Sequence, residues 1–267
     1  MIRDITLGQY YQADSVIHKL DPRVKLIATF VFIISLFVVD NFIGYGICFL
    51  FLVIAIALSK VPVKFMLRGM KAIFFLLIIT VIFNLFLTPG ETLISFGVLK
   101  ITKEGVKMAF TMAVRLSMLI VGSSVMTLTT TPNNLTDGLE SVMNPLKKIK
   151  VPVHEIAMMM SIALRFIPIL LEETDKIMKA QIARGADFES GNLFKKAKSM
   201  VPLLVPLFIS AFRRANDLAM AMEARCYQGG EGRTKMKPLI YKKRDAVTYV
   251  IVVLFFVVCV VVGRILF

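Results

Sequence analysis

The sequence predicts an all-α polytopic membrane protein: about five transmembrane helices plus a cytoplasmic or interfacial module of three amphipathic helices. Three observations predict it. Hydrophobic residues make up 57% of the 267-residue chain and mean hydropathy is +0.76, far above a soluble chain of this length. Apolar runs recur, close to the ~20 residues that a helix needs to cross a bilayer. One internal region, 131–245, collects 19 of the 32 basic and 12 of the 18 acidic residues, yet keeps apolar stripes at helical spacing. The chain therefore divides into 1–130 with four transmembrane helices, 131–245 as the polar helical module, and 246–267 as a last transmembrane helix.

The elements follow in order. Asp21-Pro22 reads as an N-cap followed by proline at the first helical position, opening a span over Leu26–Val39. Asp40-Asn41 is a turn signal, and a second span covers Phe42–Leu58. The third runs from Ala72 to Leu87 and stops at Thr88-Pro89-Gly90, the fourth from Val106 to Leu128, and the last from Ala246 to Gly263. The first three are short, so tilt or flanking long side chains must complete them. Arg3, Lys19, Arg23 and Lys25 precede the first span, and Lys60, Lys64, Arg68 and Lys71 follow the second. The positive-inside rule then puts the N-terminus in the cytoplasm and the C-terminus outside. Lys100 and Lys103 in the third link oppose this mildly. Arg115, about nine residues into the fourth span, falls near the membrane midplane, where a charge is a functional hypothesis by default. The favoured role is nevertheless pairing with a polar group within the bundle, with Asn84 and Ser117 as candidate neighbours.

Within 131–245, Thr131-Pro132 starts a helix that runs to Met143 and ends near Asn144-Pro145. A second helix follows Pro152, with Ile156, Met159, Ala163, Phe166, Leu170 and Ile177 on one face. Pro168 removes one backbone hydrogen bond and predicts a kink. Gly185 is placed to end the helix. A third runs from Leu193 to Arg225 through Pro202 and Pro206. Its apolar stretch, Met200–Phe212, is flanked by Lys195, Lys196, Lys198, Arg213 and Arg214. It reads as buried against other helices or interfacial; a sixth span is the competing reading.

Several functions are excluded. A net charge of +14 is explained by cytoplasmic loops and anionic lipid better than by nucleic acid. There is no Cys-x-x-Cys and no Gly-x4-Gly-Lys-Ser/Thr phosphate loop, and His154-Glu155 does not continue into a zinc-protease motif. A membrane-embedded enzyme would need clustered Asp, His or Ser at membrane depth, and the five spans carry neither carboxylate nor histidine. That reading remains a remote alternative.

The most informative feature is a repeat. Ala180-Gln181-Ile182-Ala183-Arg184 and Ala221-Met222-Glu223-Ala224-Arg225 share the frame Ala-x-x-Ala-Arg, each at the C-terminal end of a long helix. A single arginine there complements the helix dipole, worth about 0.3–1 kcal/mol. Two copies with small flanking residues point instead to two similar docking ends. There a planar guanidinium can meet carboxylates or carbonyls in a groove.

These motifs carry a resemblance. The chain is similar to the T components of energy-coupling factor (ECF) vitamin transporters over nearly its whole length. The likeness rests on Gly8-Gln9-Tyr10, Ser15, His18-Lys19-Leu20-Asp21-Pro22-Arg23-Val24-Lys25, Leu128-Thr129-Thr130-Thr131-Pro132, Met143-Asn144-Pro145-Leu146, Ala163-Leu164-Arg165-Phe166-Ile167-Pro168 and the two arginine motifs. Ala183-Arg184-Gly185 matches the family's Ala-Arg-Gly, whereas Ala224-Arg225-Cys226 departs at its last residue, which predicts a less permissive backbone there. The resemblance implies a non-catalytic subunit with no cofactor of its own. Two ATPase subunits (EcfA and EcfA′), which hold ATP and magnesium, would dock at Ala183, Arg184 and Gly185 and at Ala224, Arg225 and Cys226. A separate vitamin-binding S component would meet Met159, Ala163, Phe166 and Leu170 on one helix and Leu204 and Phe208 on the other. The alternative within the same architecture is the T component of a dedicated cobalt or nickel importer.

Overall fold

The computed structural model describes residues 10–96, 99–186, 188, 193–230, 236 and 238–265. The chain folds into α1 (Pro22–Val38), α2 (Phe42–Ser59), α3 (Val63–Leu87), β1 (Thr92–Phe96), β2 (Leu99–Thr102), α4 (Lys103–Thr129), α5 (Pro132–Met143), a 3-10 segment (Asn144–Ile149), α6 (Val153–Ala183), α7 (Leu193–Ala224) and α8 (Lys243–Ile265). Every predicted helix is present. Two features differ from the sequence reading. α3 begins nine residues before Ala72, because the basic residues there are good helix formers and do not end a helix. The third link is an antiparallel hairpin, pairing Thr92 with Thr102 and Phe96 with Leu99.

Two compact units emerge. One comprises Gly8–Ser141 with Leu239–Phe267; the other contains Val142–Pro238. The first unit therefore includes α5. α5 carries charge but packs on the membrane unit: Thr136 is buried, and Gly138 lies so close to Pro22 that a Cβ would press on it.

The membrane unit is a bundle whose helices alternate in direction. Near the start of α1, Lys25 Nζ donates to the Thr129 carbonyl at the end of α4 at 2.8 Å. At the opposite end, Thr102 Oγ1 before α4 donates to the Thr88 carbonyl after α3 at 2.9 Å. α8 starts beside α1, where the Asp21 N–H donates to Asp245 Oδ1 at 2.9 Å. So α1, α3 and α8 run one way, and α2 and α4 the other. The core holds Phe32, Leu36, Cys48, Leu52, Met118 and Cys259 among others. The rings of Phe51 and Phe255 stack at 4.1 Å, and Gly122 leaves space that the Phe32 ring fills. Outward faces stay apolar, with Phe30, Phe49, Leu50 and Leu254 exposed. That is the pattern of a surface solvated by lipid.

The Asp21-Pro22-Arg23-x-Lys25 motif does more than cap a helix. The Asp21 carboxylate accepts from the Arg23 N–H at 2.9 Å and completes the cap. It also accepts from Arg23 Nε and Nη2 at 2.9 and 2.8 Å. The guanidinium then donates to the Leu239 carbonyl at 3.0 Å and to Ser141 Oγ at 3.4 Å, and it lies 3.7 Å over the Tyr241 ring. Burial pushes the Asp21 carboxyl up, but hydrogen bonds and charge from Arg23 outweigh it, leaving the group below the ordinary carboxylate range. Asp245 closes the network by accepting from the Lys242 N–H at 2.7 Å. One arginine therefore touches both points where the chain leaves the membrane unit and returns to it.

Candidate docking site: two arginine-tipped helix ends

α6 and α7 form an antiparallel pair. Arg214 Nη2 of α7 donates to Glu173 Oε2 of α6 at 3.2 Å. Farther along, Ile162, Phe166 and Leu170 meet Ala211, Ala215 and Leu218 around a cleft of about 260 Å³. The two C-terminal ends therefore point in opposite directions. With roughly 1.5 Å of rise per residue each helix is about 45 Å long, so Arg184 and Arg225 stand apart by a distance of that order. Pro168 lies within α6 and Pro202 and Pro206 within α7, and each helix continues across them as one element.

The two arginine motifs end in the same cap. After α6, the Gly185 N–H donates to the Ile182 carbonyl and the Ala186 N–H to the Gln181 carbonyl, at 2.9 and 3.0 Å. After α7, the Cys226 N–H donates to Glu223 and the Tyr227 N–H to Met222, at 2.9 and 3.1 Å. This is the paired six-to-one and five-to-two pattern of a Schellman cap. Its pivot residue is left-handed in both copies, with φ of +85° at Gly185 and +54° at Cys226. A residue with a Cβ pays about 1–2 kcal/mol for that conformation. The Gly-to-Cys departure thus appears as local strain, and the backbone shape is the same. Ala183, Arg184, Gly185, Ala224, Arg225 and Cys226 are all exposed.

The surroundings of Arg225 contain a feature the sequence did not reveal. Arg225, Cys226 and Tyr227 line an open cleft of about 670 Å³ together with Met158, Ser161 and Arg165 of α6. Antiparallel pairing brings the second motif to the first half of α6, so a second guanidinium shares its cleft. The resemblance motif Ala163-Leu164-Arg165 contained that residue without indicating the partner.

The six residues expected to meet a substrate-binding subunit fall into two sets. Phe166 and Leu170 are half-buried along the cleft facing α7. Met159, Ala163, Leu204 and Phe208 are exposed. Met200, Val201, Val205, Ile209 and Phe212 are also exposed and extend the apolar surface of α7.

Arg115 is paired within the bundle, with partners other than the candidate neighbours Asn84 and Ser117. Its guanidinium donates to Tyr45 Oη and to Asp40 Oδ1, both at 2.9 Å, and to the Val39 carbonyl at 3.3 Å. Asn84 instead donates to the Thr80 carbonyl within its own helix. The long side chain reaches the α1–α2 turn, so this charge is paired within the bundle. Among the described residues, no cluster of three or more His, Cys, Asp or Glu could hold a metal ion.

The sequence also matches known proteins. Residues 13–236 match the family model CbiQ, described as cobalt transport protein. The chain is 58% identical over 247 residues to the energy-coupling factor transporter transmembrane protein EcfT of Clostridium kluyveri, covering 92% of each chain. It is 55% identical over 255 residues to that of Ruminiclostridium cellulolyticum, covering 96% of each. For Bacillus subtilis the identity is 47% over 246 residues, with 92% of this chain and 93% of the relative covered.

The chain belongs to this family of energy-coupling factor transmembrane components. It is a multi-pass membrane protein and the transmembrane component of an ECF transporter. Four of its helices, α2, α4, α6 and α8, contain stretches long and apolar enough to cross a bilayer, and α3 contributes a shorter apolar stretch, Ile73–Leu87. α6 belongs to that set although its charge pattern read as cytoplasmic.

Proposed function

We propose that this chain is the coupling subunit of an ECF-type importer, in which two ATPase subunits dock separately at the Arg184 and Arg225 helix ends. The observation that carries the reading is the repetition of one exposed Arg-bearing cap at opposite ends of an antiparallel helix pair. One partner domain of ordinary size does not reach both ends; two similar partners do. The exposed guanidiniums suit carboxylate or carbonyl acceptors in a groove. ATP and magnesium belong to those partners. Their closure and opening would change the separation of the two helix ends, and α6 and α7 would pivot as levers. The exposed apolar surface bearing Met159, Ala163, Leu204 and Phe208 is the contact for a separate vitamin-type S component.

The orientation follows from the basic segments, with the N-terminus cytoplasmic and the C-terminus outside. The double contact of Arg23 supports it. Ser141 and Leu239 meet the same guanidinium, so 142–238 leaves and returns on one side of the bundle. An even number of crossings by α6 and α7 is then required, and only α6 reaches the composition of a span. We assign both to the cytoplasmic side.

The test is co-purification of the ATPases from membranes containing Arg184→Glu or Arg225→Glu. Each substitution is expected to weaken ATPase retention at least tenfold and to abolish transport while the chain still inserts. Undiminished retention by both variants would overturn the docking role. A dedicated metal importer is the second reading, favoured by the description of the matched family model. Mass spectrometry of the native complex separates the two: several vitamin-binding subunits support the first, and a single metal-binding subunit the second.

A further inference from the structure

The membrane unit has a lateral groove that the docking function does not use. At the end of the bundle where α1 and α8 begin, α2 and α8 part and leave a groove of about 540 Å³. Its rims are exposed: Ile54 and Leu58 on α2, Val247 and Ile251 on α8. Its floor is buried, with Val24 and Phe32 of α1, Leu52 of α2 and Val125 of α4 at 1–8% exposure. Phe51 stacks on Phe32 at 6.0 Å and closes the inner end. The volume lies in the range of small-ligand sites, but the walls carry almost no polar groups with which to orient a polar molecule.

The polar groups gather at one end. Lys243 and Arg244, both exposed, line the groove where α8 begins. The other charges there are already engaged. Lys25 Nζ donates to the Thr129 and His18 carbonyls. Asp21 is paired with Arg23, and Asp245 accepts from the backbone N–H groups of Asp21 and Lys242. What remains at the mouth is a pair of cations above an apolar slot on a lipid-facing surface. We propose that this groove holds one anionic glycerophospholipid, with an acyl chain along Phe32 and Phe51 and the phosphate against Lys243 and Arg244. Charge complementarity selects the headgroup, and the apolar slot holds the chain. The inference needs only the membrane location of this unit and is independent of the arginine docking ends; with the orientation proposed above, the lipid belongs to the cytoplasmic leaflet.

The experiment uses the full chain in nanodiscs doped with phosphatidylglycerol or phosphatidylcholine, each carrying a photoreactive group on the acyl chain, with labelled peptides mapped by mass spectrometry. Phosphatidylglycerol is expected to label the α2 and α8 rims at least fivefold more than phosphatidylcholine. The Lys243→Gln/Arg244→Gln double variant, which alters only exposed side chains, should erase that preference. Ala55→Phe, which fills the groove, should reduce labelling by both lipids; monodisperse elution confirms that the variants remain folded. Excess glycerol phosphate should leave labelling intact, since the chain anchors the ligand. Equal labelling by the two lipids, or a preference that survives the double glutamine variant, overturns the proposal. So does loss of labelling once the ATPases and substrate-binding subunit are assembled, because the groove is then a protein interface. Arg184→Glu and Arg225→Glu should label like the parent chain, so failure of ATPase docking and failure of lipid binding give distinct results.

Discussion

The two compact units bury opposite kinds of residue. The membrane unit hides Asp21, Lys25, Thr129 and Asp245 inside a network in which each has partners, and it turns Phe30, Phe49 and Leu254 outward. In the α6–α7 unit only Val153 and Ala157 of α6 are buried among the described residues, while α7 exposes Met200, Val201, Leu204, Val205, Phe208, Ile209 and Phe212. Lipid completes the first arrangement, because apolar surface costs nothing in a bilayer. Among the described residues of its own unit, nothing completes the second. An apolar surface of this extent is the mark of an interaction site.

This contrast can be broken from either side. The largest effect is expected in the membrane unit. Asp245→Ala strips the partner from one buried N–H group, that of Asp21, and from the part-buried N–H of Lys242, at about 2–3 kcal/mol in total, and should lower the thermal midpoint of the detergent-solubilised chain while leaving the α6–α7 surface unchanged. Leu204→Asp with Phe208→Asp should do the reverse: stability nearly unchanged, since both side chains are exposed, and S-component retention reduced at least tenfold in co-purification. Loss of folding by that pair would show that α7 is packed within the chain. A smaller effect distinguishes the two caps. Cys226→Gly relieves the left-handed strain and should stabilise the α7 end by about 1 kcal/mol, visible as slower amide exchange at the cap, whereas Gly185→Ala should cost a similar amount.

The smallest effect is on pH dependence. The His18 ring is held below its ordinary pKa of 6.5, chiefly by burial; Nε2 lies 2.9 Å from the Tyr11 carbonyl and Nδ1 lies 2.6 Å from Ser15 Oγ. Asp21 lies below its ordinary 3.8. For both groups the folded value is below the unfolded one. The stability they supply is complete above 6.5 and 3.8 respectively, and it is lost as pH falls through the folded values. The thermal midpoint should therefore begin to fall below about pH 6.5, and His18→Gln should remove that first step. An unchanged first step in the variant assigns it to another group.

Most of the helical plan was legible because each helix carries its own punctuation: Asp21-Pro22, Asp40-Asn41, Thr131-Pro132 and Gly185 mark ends by local stereochemistry. The hairpin at 92–102 was missed although Thr-Leu-Ile-Ser-Phe and Leu-Lys-Ile-Thr flank Gly97 with strand-like composition, because two short strands weigh little beside long spans. The two arginine motifs were legible as a repeat. Their placement at opposite ends of one helix pair was not, since it depends on the pairing of Glu173 with Arg214. The partners of Arg115 were also beyond the sequence. Asp40 and Tyr45 lie some 70 positions upstream and meet it only through the folding of α1, α2 and α4.

The guanidinium of Arg23 touches the chain at both Ser141 and Leu239. A segment that departs and returns through a single point asks only one thing of its host, that two chain ends be held together. The stretch 142–238 is in that sense a graft, free to change its length, its helix faces and its partners while the bundle keeps its own register. A chimera that exchanges 142–238 between relatives at this seam should insert normally and take on the ATPase preference of the donor.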